Sequence, residues 1–547
     1  MKYIFVMGGV MSGIGKGVTS ASIGRLLKSR GFSVSSVKID PYVNVDAGTM
    51  NPTEHGEVFV LDDGTECDMD IGNYERFLEQ DFSRDNYMTT GSVYQTVIEK
   101  ERNMEYGGRC VHVVPDIPLE VLRRIKRAGR KDKADFVITE IGGTLGEYQN
   151  VLFLEAVRML QIDRPNDVIT VLVSFLPFQT KGGGELKTKP TQQAVQNMNY
   201  AGLHPSFIIA RARNEVDKKR KEKISFHCNI DKKNVISTPD VESIYDVPIN
   251  FEKDGFANQI LKNFGMKPGK KDLGKWKSFA EKVHKAENEV NIGIIGKYFE
   301  TGDFVLSDSY ISVIEAIKHA AYNLNMKPVV GWISSNDFEG KNRERKLEQL
   351  KKYDGIIIPG GFGSRGVEGK INVIEYARKN RIPFLGLCYG MQLMLIEFAR
   401  NVCGFKEANS TEINPDTEYP VVDLMPGQKQ AMKEGRYGAT MRLGAYPAIL
   451  KPRTIAEQAY KKTRISERHR HRYEVNPKYI SAFEEKGLVF SGASPDGKLM
   501  EIAELPKKKH PFFVASQFHP EFKSRPLDPH PLFLEFIRVS NKKRVKE

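Results

Sequence analysis

The stretch Ile382-Pro-Phe-Leu-Gly-Leu-Cys-Tyr-Gly-Met-Gln-Leu393 joins an apolar run of strand character to a helix-forming run that continues from Met391 to Arg400. At the join lies Gly386-Leu-Cys-Tyr-Gly390, a cysteine between two glycines. This is the pattern of a nucleophile elbow, in which a tight strand-to-helix turn exposes a reactive side chain. The glycines are expected to permit the bend, so that the Cys388 thiol stands clear of the backbone. A helix N-terminus carries partial positive charge and favours thiolate over thiol. A lone cysteine is more often a buried structural residue, but the flanking glycines favour the nucleophile here.

The same strand-and-helix rhythm surrounds the elbow. Strand-like runs at Val290 to Gly296, Val329 to Ile333, Gly355 to Pro359 and Phe384 to Leu387 place it in an α/β domain spanning 291–547. From Met1 to about Gly265, runs at Tyr3 to Met7, Val34 to Ile39, Phe136 to Glu140, Val168 to Phe175, Phe207 to Ala210 and Val235 to Ser237 alternate with amphipathic stretches. That alternation predicts a doubly wound, mostly parallel sheet over 1–265. Between the two, residues 266–290 turn rich in Lys, Gly and Glu and read as an interdomain connection, helical in part. A chain of 547 residues exceeds what one hydrophobic core supports, in keeping with two domains. No internal repeat is visible, and the basic tail from Asn541 to Glu547 is expected to fray.

Five scattered cysteines (Cys67, Cys110, Cys228, Cys388, Cys403) form neither a disulfide framework nor a zinc signature, and indicate a reducing compartment. The chain opens on a strand-like segment in place of a leader, and no apolar run reaches membrane-spanning length, so a cytoplasmic, membrane-free protein is expected. The net charge of +13 suits anionic partners such as nucleotides. Basic residues are spread throughout without a recognition motif or interleaved aromatics, so no nucleic-acid partner is expected.

The first strand runs into Gly8-Gly-Val-Met-Ser-Gly-Ile-Gly-Lys-Gly17, with a helix expected from about Val18. Backbone N–H groups of such a loop and the helix N-terminus cradle phosphate, and Lys16 supplies a charge for the outer phosphates. The match to a phosphate loop is imperfect. Val10 stands at the first glycine position, and Gly17 replaces the Ser or Thr that would hold magnesium. Carboxylates must then bind the metal, since magnesium takes oxygen ligands. Asp70 and Glu140 are the candidates; Glu140 ends a strand, where an open α/β sheet faces its ligand, whereas Asp70 reads equally well as a solvated acid. Lys38 ends a second strand at the same edge. Lys187-Thr-Lys-Pro-Thr-Gln192, downstream of Lys181-Gly-Gly-Gly184, clusters cations, hydroxyls and an amide suited to a second polyphosphate, though surface lysines are usually just solvated. Together these features suggest phosphoryl transfer between bound nucleotides.

A cysteine nucleophile needs a base, an orienting group and an oxyanion hole. Gln517-Phe-His-Pro-Glu521 sets His519 and Glu521 two apart, on one face of an extended segment, as base and orienter. Pro359-Gly-Gly-Phe-Gly363 offers backbone N–H groups, of Gly360 and Gly361, that with Tyr389 form an oxyanion hole. The chemistry is amide hydrolysis through a thioester. His469 and His471, in Glu467-Arg-His-Arg-His-Arg-Tyr473, read as anion or carboxylate recognition and not as a metal tract.

The second domain resembles the class I glutamine amidotransferases. The elbow and the His519 segment taken with Gly8 to Gly17, Lys38-Ile-Asp-Pro-Tyr-Val-Asn-Val-Asp46, His55-Gly-Glu-Val-Phe-Val60, Glu140-Ile-Gly-Gly143, Lys187 to Gln192 and Glu467 to Asn476 resemble the CTP synthase family over nearly the whole chain. The resemblance implies a P-loop-type synthetase domain followed by the amidotransferase, and ATP-dependent amination of UTP to CTP through a 4-phosphorylated intermediate. It implies that Gly13, Ile14, Gly15, Lys16, Gly17 and Val18 hold ATP phosphates, that Asp70 and Glu140 hold Mg2+, and that Asp240 and Val241 lie near the adenine. Ser12, Glu147, Tyr148, Gln149, Lys187, Thr188, Lys189, Pro190, Thr191, Gln192 and Lys223 would meet UTP or CTP, and Lys38 the phosphorylated uracil. Gly361, Tyr389, Gly390, Met391, Gln392, Glu412 and Arg472 would bind glutamine beside Cys388. GTP is the implied activator, with Gly438 to Gly444 as a mobile lid carrying Arg442. His55 matches a position near the ammonia entrance. CTP feedback is implied as well, with Gln149 removing one carboxylate that bacterial relatives often carry there. A homotetramer, and filaments built from it, are the implied assemblies. Two other readings of the residues stay open: an amide ligase acting on an ATP-activated carboxylate, and a nucleotide-sensing or filament protein without catalysis.

Overall fold

In the computed structural model the described residues are 1–179, 184–297, 300–301, 304–305, 307–425, 428 and 440–544. They form two units, Met1–Ala47 with Asp70–Ala280 and Gly48–Met69 with Glu281–Glu547. Lys181 to Gly183, Gly438 and Ala439 of the expected lid, and the last residues of the basic tail lie outside the described residues.

In the first unit the strands are β1 (Lys2–Gly8), β2 (Val34–Asp40), β3 (Tyr87–Thr89), β4 (Phe136–Ile141), β5 (Val168–Phe175), β6 (Phe207–Ala212) and β7 (Val235–Pro239). They form one sheet in the order β7-β6-β5-β1-β4-β2-β3, every neighbouring pair parallel. This is the doubly wound α/β sheet that the alternation predicts. Strands covered on both faces read as continuous apolar runs; Ile4, Phe5 and Val6 have no exposed surface. β3 escaped the sequence reading because three residues at a sheet edge carry no periodicity. β1 lies between β4 and β5, so the chain winds outward in both directions from it. Ligand crevices open at such a reversal, beyond the carboxyl ends of the strands. The loop after β1 emerges there, and helix α1 (Lys16–Lys28) begins two residues before the expected start, its cap Gly15 at φ 82°.

The second unit contains β8 (Asn288–Gly296), β9 (Met326–Ser334), β10 (Gly355–Ile358), β11 (Phe384–Leu387), β12 (Arg442–Leu450), β13 (Arg464–His471), β14 (Val489–Ala493), β15 (Met500–Glu504) and β16 (Phe513–Ser516). Their order is β9-β8-β10-β11-β16-β15-β14-β12-β13. The β9-to-β16 half is parallel and the remainder antiparallel. Four of the five parallel strands, β8 to β11, match the predicted runs, and β16 was not anticipated. The antiparallel half was not anticipated, because a strand such as β13, Arg-Ile-Ser-Glu-Arg-His-Arg-His, hides its buried face among charged residues. The elbow joins β11 to helix α2 (Tyr389–Phe398), two residues ahead of the expected Met391.

Residues 48–69 lie within the N-terminal half of the sequence yet belong to the second unit. They carry an antiparallel hairpin, Val58–Val60 with Glu66–Asp68. Arg468 pairs with Asp62, and Arg470 Nε donates to Glu66 Oε1 at 2.8 Å. Both Glu57 carboxylate oxygens accept from Ser312 N, at 3.3 and 3.2 Å, and Phe59 meets Phe522 edge-on at 4.9 Å. The pairing residues stand 404 positions apart for Arg470 and Glu66, so no local pattern announces them. Among the described residues no helix is long and apolar enough to cross a membrane.

The Glu66 carboxylate is almost wholly buried against Arg470. Glu66→Ala strands that guanidinium, and breaking a buried pair from one side costs about 3 kcal/mol. The thermal unfolding transition of the second unit should move to lower temperature by several degrees; an unchanged transition would show that the pair does not hold the hairpin.

Candidate functional site

In the first unit the crevice gathers Lys16, Lys38, Asp70 and Glu140. Lys16 Nζ donates to Gly143 O at 2.8 Å. Lys38 Nζ lies between the two carboxylates, donating to Asp70 Oδ2 and to Glu140 Oε1 at 3.0 Å, and Tyr74 donates its hydroxyl to Glu140 Oε2. Burial pushes the Asp70 carboxyl up, but the Lys38 and Lys16 ammoniums outweigh it and hold it below the carboxylate range. For Glu140 burial prevails, aided by Asp70, and the carboxyl is raised. Burial lowers Lys16 despite the attraction of Glu140, and burial raises Asp40 to about 6.

The missing Ser or Thr at position 17 has a geometric reason. A Cβ on Gly17 would stand 2.0 Å from Asp70 Oδ1. The carboxylate of the helix Met69–Leu78 occupies the space that a side chain after Lys16 would fill. Asp70 is therefore no solvated loop acid. Two convergent carboxylates beside a phosphate cradle fit Mg2+, which takes hard oxygen ligands.

The other nucleotide candidates are placed less tightly. Gly13 is left-handed at φ 68°; Ser12 is exposed, Ile14 buried and Val18 half-buried. Lys187 pairs with Glu185 at 2.8 Å. Thr188 accepts from Gln192 Nε2 at 3.0 Å, and Thr191 meets Ser174 at 2.9 Å. Lys189 and Lys223 are exposed and Pro190 half-buried. Asn197, on the helix Lys189–Tyr200, donates to Leu145 O at 3.2 Å and so sets that helix against the loop of Glu147, Tyr148 and Gln149. Tyr148 is 97% exposed, and Gln149 Nε2 donates to Glu147 Oε2 at 2.7 Å. Asp240 pairs with Arg211 at 2.8 Å, with Val241 half-buried beside it in sequence.

In the second unit Cys388 itself carries the strain of the elbow, at φ 50° and ψ −98°. This corrects the expectation that the glycines make the bend. Neither has a positive φ; each is required by close approach instead. A Cβ on Gly390 would lie 2.3 Å from Ile358 O, and one on Gly386 would lie 2.9 Å from Ala515 Cβ. His519 Nδ1 and Glu521 Oε1 are 2.7 Å apart. They reach each other through a tight turn, His519 capping the 3-10 helix Pro520–Lys523, and not along an extended segment as expected. The His519 ring stacks on Phe522 at 5.0 Å, and its Nε2 is buried without a hydrogen-bond partner. Burial opposes the imidazolium, but the Glu521 carboxylate and Cys388 outweigh it, and His519 is pushed up to about 10. Burial pushes the Cys228 and Cys403 thiols up to about 11.

Cys388, His519 and Glu521 share a cavity of about 280 Å3 with Gly360, Gly361, Arg470 and Arg472. Gly48, Met50, Pro52 and Glu57 of the docked segment line it too, a contribution the sequence did not disclose. Gly360 backs onto the His519 ring, where a Cβ would stand 2.7 Å from Cε1. Glu412 accepts from Gly363 N at 2.7 Å; burial raises its carboxyl against the pull of that N–H and of Lys297. Arg472 donates to Gln428 Oε1 at 3.0 Å and Thr440 Oγ1 at 2.7 Å. Tyr389 anchors its hydroxyl on Gly363 O at 2.7 Å, and Gln392 Nε2 donates to Tyr473 O at 3.1 Å. The Met391 side chain is wholly buried in the core. His55, in the short helix Pro52–His55, lies 3.7 Å from Asp68.

Two further expectations are overturned. Arg442, expected on a mobile lid, opens β12, buried between Glu501 at 2.7 Å and Glu474 at 3.2 Å. Its pairs lock it in place. His469 and His471 point inward, 2.9 Å apart; burial, with Arg442 nearby, lowers both well below the ordinary histidine value, so they bind no anion as cations. The intervening arginines do bind carboxylates, those of Asp62 and Glu66 within this chain.

A strained cysteine at a strand-to-helix turn, backed by a His–Glu pair and faced by a glycine-rich loop, defines a class I glutamine amidotransferase unit, here joined to a nucleotide-binding synthetase unit. Residues 305–539 match the family described as glutamine amidotransferase class-I, and residues 2–266 that described as CTP synthase N-terminus. A CTP synthase of Methanocaldococcus jannaschii is 48% identical, covering 100% of this chain and 99% of its own. That of Thermococcus gammatolerans is 50% identical over 99% of each. That of Pyrococcus abyssi is 50% identical over 98% of each. The chain belongs to the CTP synthase family. Its reaction is the glutamine-dependent amination of UTP to CTP, with ATP as co-substrate and Mg2+ in use. Family membership sets aside the carboxylate ligase and the non-catalytic protein.

Gly17→Ser drives a side chain into Asp70, and CTP formation from UTP, ATP and ammonia should fall at least about tenfold; retention of full activity would mean that Asp70 is not held there. The His519 shift has a pH consequence. With the folded value near 10 and the ordinary value 6.5, the stability this group contributes is complete below pH 6.5 and is lost as pH rises through 10. Urea midpoints of the second unit should fall over that window in the unmodified protein more steeply than in His519→Ala; parallel curves would contradict the pairing.

Proposed function

We propose that Cys388 Sγ attacks the side-chain amide carbon of glutamine, with the N–H groups of Gly360, Gly361 and Tyr389 holding the developing oxyanion. His519, oriented through Nδ1 by Glu521, delivers the Nε2 proton to the departing ammonia and then takes one from the water that cleaves the thioester. Glu412 and Arg472 hold the glutamine ammonium and carboxylate by charge complementarity, with Gly361, Gly390 and Gln392 around them. The 2.7 Å contact between His519 and Glu521, beside a cavity shared with Cys388, carries this reading.

In the synthetase unit the loop from Gly13 to Val18 binds ATP phosphates, with Lys16 on the outer ones. Asp70 and Glu140 hold Mg2+, whose role when bound is to neutralise phosphate charge during transfer to the uracil O4. Lys38 faces the phosphorylated uracil, Asp240 and Val241 the adenine. Ser12, Lys187 to Gln192 and Lys223 take the UTP triphosphate. Glu147 and Tyr148 contact CTP in feedback, where Gln149 adds no charge. GTP activates glutamine hydrolysis, and the enzyme works in the cytoplasm as a homotetramer able to extend into filaments. Family membership supports these regulatory and assembly assignments. The division into a synthetase domain (1–265), a connection (266–290) and an amidotransferase domain (291–547) is supported by the two stretches of family similarity.

CTP should form from UTP, ATP and Mg2+ with either glutamine or ammonia, and faster with glutamine when GTP is added. Cys388→Ala should abolish glutamine use and leave ammonia use intact; loss of both in a folded variant would refute the two-site assignment.

A further inference from the structure

The mechanism above leaves one polar side chain at the nucleophile unused. Gln517 has no exposed surface, and its Nε2 donates to Cys388 Sγ at 3.7 Å. The direction of this amide is set by its neighbours. Gln392 Nε2 donates to the Tyr473 carbonyl at 3.1 Å, which can only accept, so the amino group of Gln392 faces that way. The same nitrogen then donates to Gln517 Oε1 at 3.4 Å. With its oxygen engaged, Gln517 turns its amino group to the sulfur. Sγ also contacts a group of opposite demand, the Arg470 carbonyl at 3.7 Å. A carbonyl accepts from a thiol S–H and repels an anionic sulfur; an amide N–H donates more strongly to an anion than to a neutral acceptor.

We infer that Gln517 is a further catalytic residue for glutamine hydrolysis, its amide N–H holding the sulfur in its attacking, anionic form, with Gln392 as the positioning residue that points it. The inference rests on Cys388 being the nucleophile. Gln517 is the first residue of the His519 segment, three positions beyond Val514 on β16, and its own N–H is fixed on Glu501 O at 2.8 Å. One short stretch thus supplies both the proton carrier and the donor that favours the reactive sulfur.

The test uses the full chain with Gln517→Glu, which keeps the volume and exchanges the donor for an acceptor, and Gln517→Met, which removes the polar group. The rate of iodoacetamide alkylation, with the labelled cysteine identified by mass spectrometry, is followed against pH alongside glutaminase kcat and KM. Expected are a shift of the alkylation midpoint to higher pH by about one unit, as loss of one charge-assisted hydrogen bond implies, and a fall in kcat of at least about tenfold with KM changed less than about threefold. Ammonia-dependent CTP formation should persist and shows that each variant folds. An unmoved midpoint in both variants, or an unmoved kcat, overturns the inference, even where stability falls. Should one variant fail to fold, the other decides. Absence of labelling at Cys388 in the unmodified protein, while exposed Cys110 is alkylated, would instead refute the choice of nucleophile.

Discussion

The second unit is built around a backbone that does not want its conformation. Cys388 is held at φ 50°, ψ −98°, where a side-chain-bearing residue is strained by about 1–3 kcal/mol. Nothing local to the cysteine supplies that energy. It comes from β11 fixed between β10 and β16, and from the first turn of α2 pressed so near Ile358 that position 390 tolerates no Cβ. The parallel sheet therefore does more than carry Cys388. It overdetermines a turn that would otherwise relax, and leaves the sulfur in reach of His519, Gln517 and the Gly360 loop.

The synthetase unit shows the same economy at its own strand ends. One carboxylate, Asp70, fills the space beside Gly17, meets Lys38 and converges with Glu140. Read as a motif, the loop lacks its metal-binding hydroxyl. Read as a volume, the absent side chain and the present carboxylate are one feature.

What the sequence disclosed follows the range of the forces involved. Continuous apolar runs located most of the parallel strands, since burial on both faces leaves a local trace. Strand-end placement found Glu140, and the G-x-C-x-G and H-P-E patterns found Cys388, His519 and Glu521. Spacing did not reveal how the last two meet: an extended segment and a 3-10 turn can both bring residues two apart together, and only tertiary packing chose the turn. The docking of residues 48–69 rests on pairs such as Arg470 with Glu66, separated by most of the chain. Arg442 was placed on the lid by resemblance alone, and no local pattern shows that its partners Glu474 and Glu501 lie on other strands.

That buried cluster bears on how the cavity is shaped. Arg442, Glu474, Glu501, His469 and His471 occupy space that apolar side chains could fill, and buried ion pairs are poor sources of net stability. Burial, with Glu501 close by, raises the Glu474 carboxyl to about 8 against the pull of Arg442. Arg442 meets both carboxylates, with His469 3.6 Å from Glu501 and His471 3.5 Å from Glu474. The gain is register. β13 alternates, and pinning His469 and His471 inward against this network turns Arg468 and Arg470 to the opposite face, where Asp62 and Glu66 receive them. A slip of one residue would send arginines into the core and histidines to the hairpin. A polar core at this position specifies which face of β13 the docked segment meets, and with it the wall that Arg470 gives the Cys388 cavity.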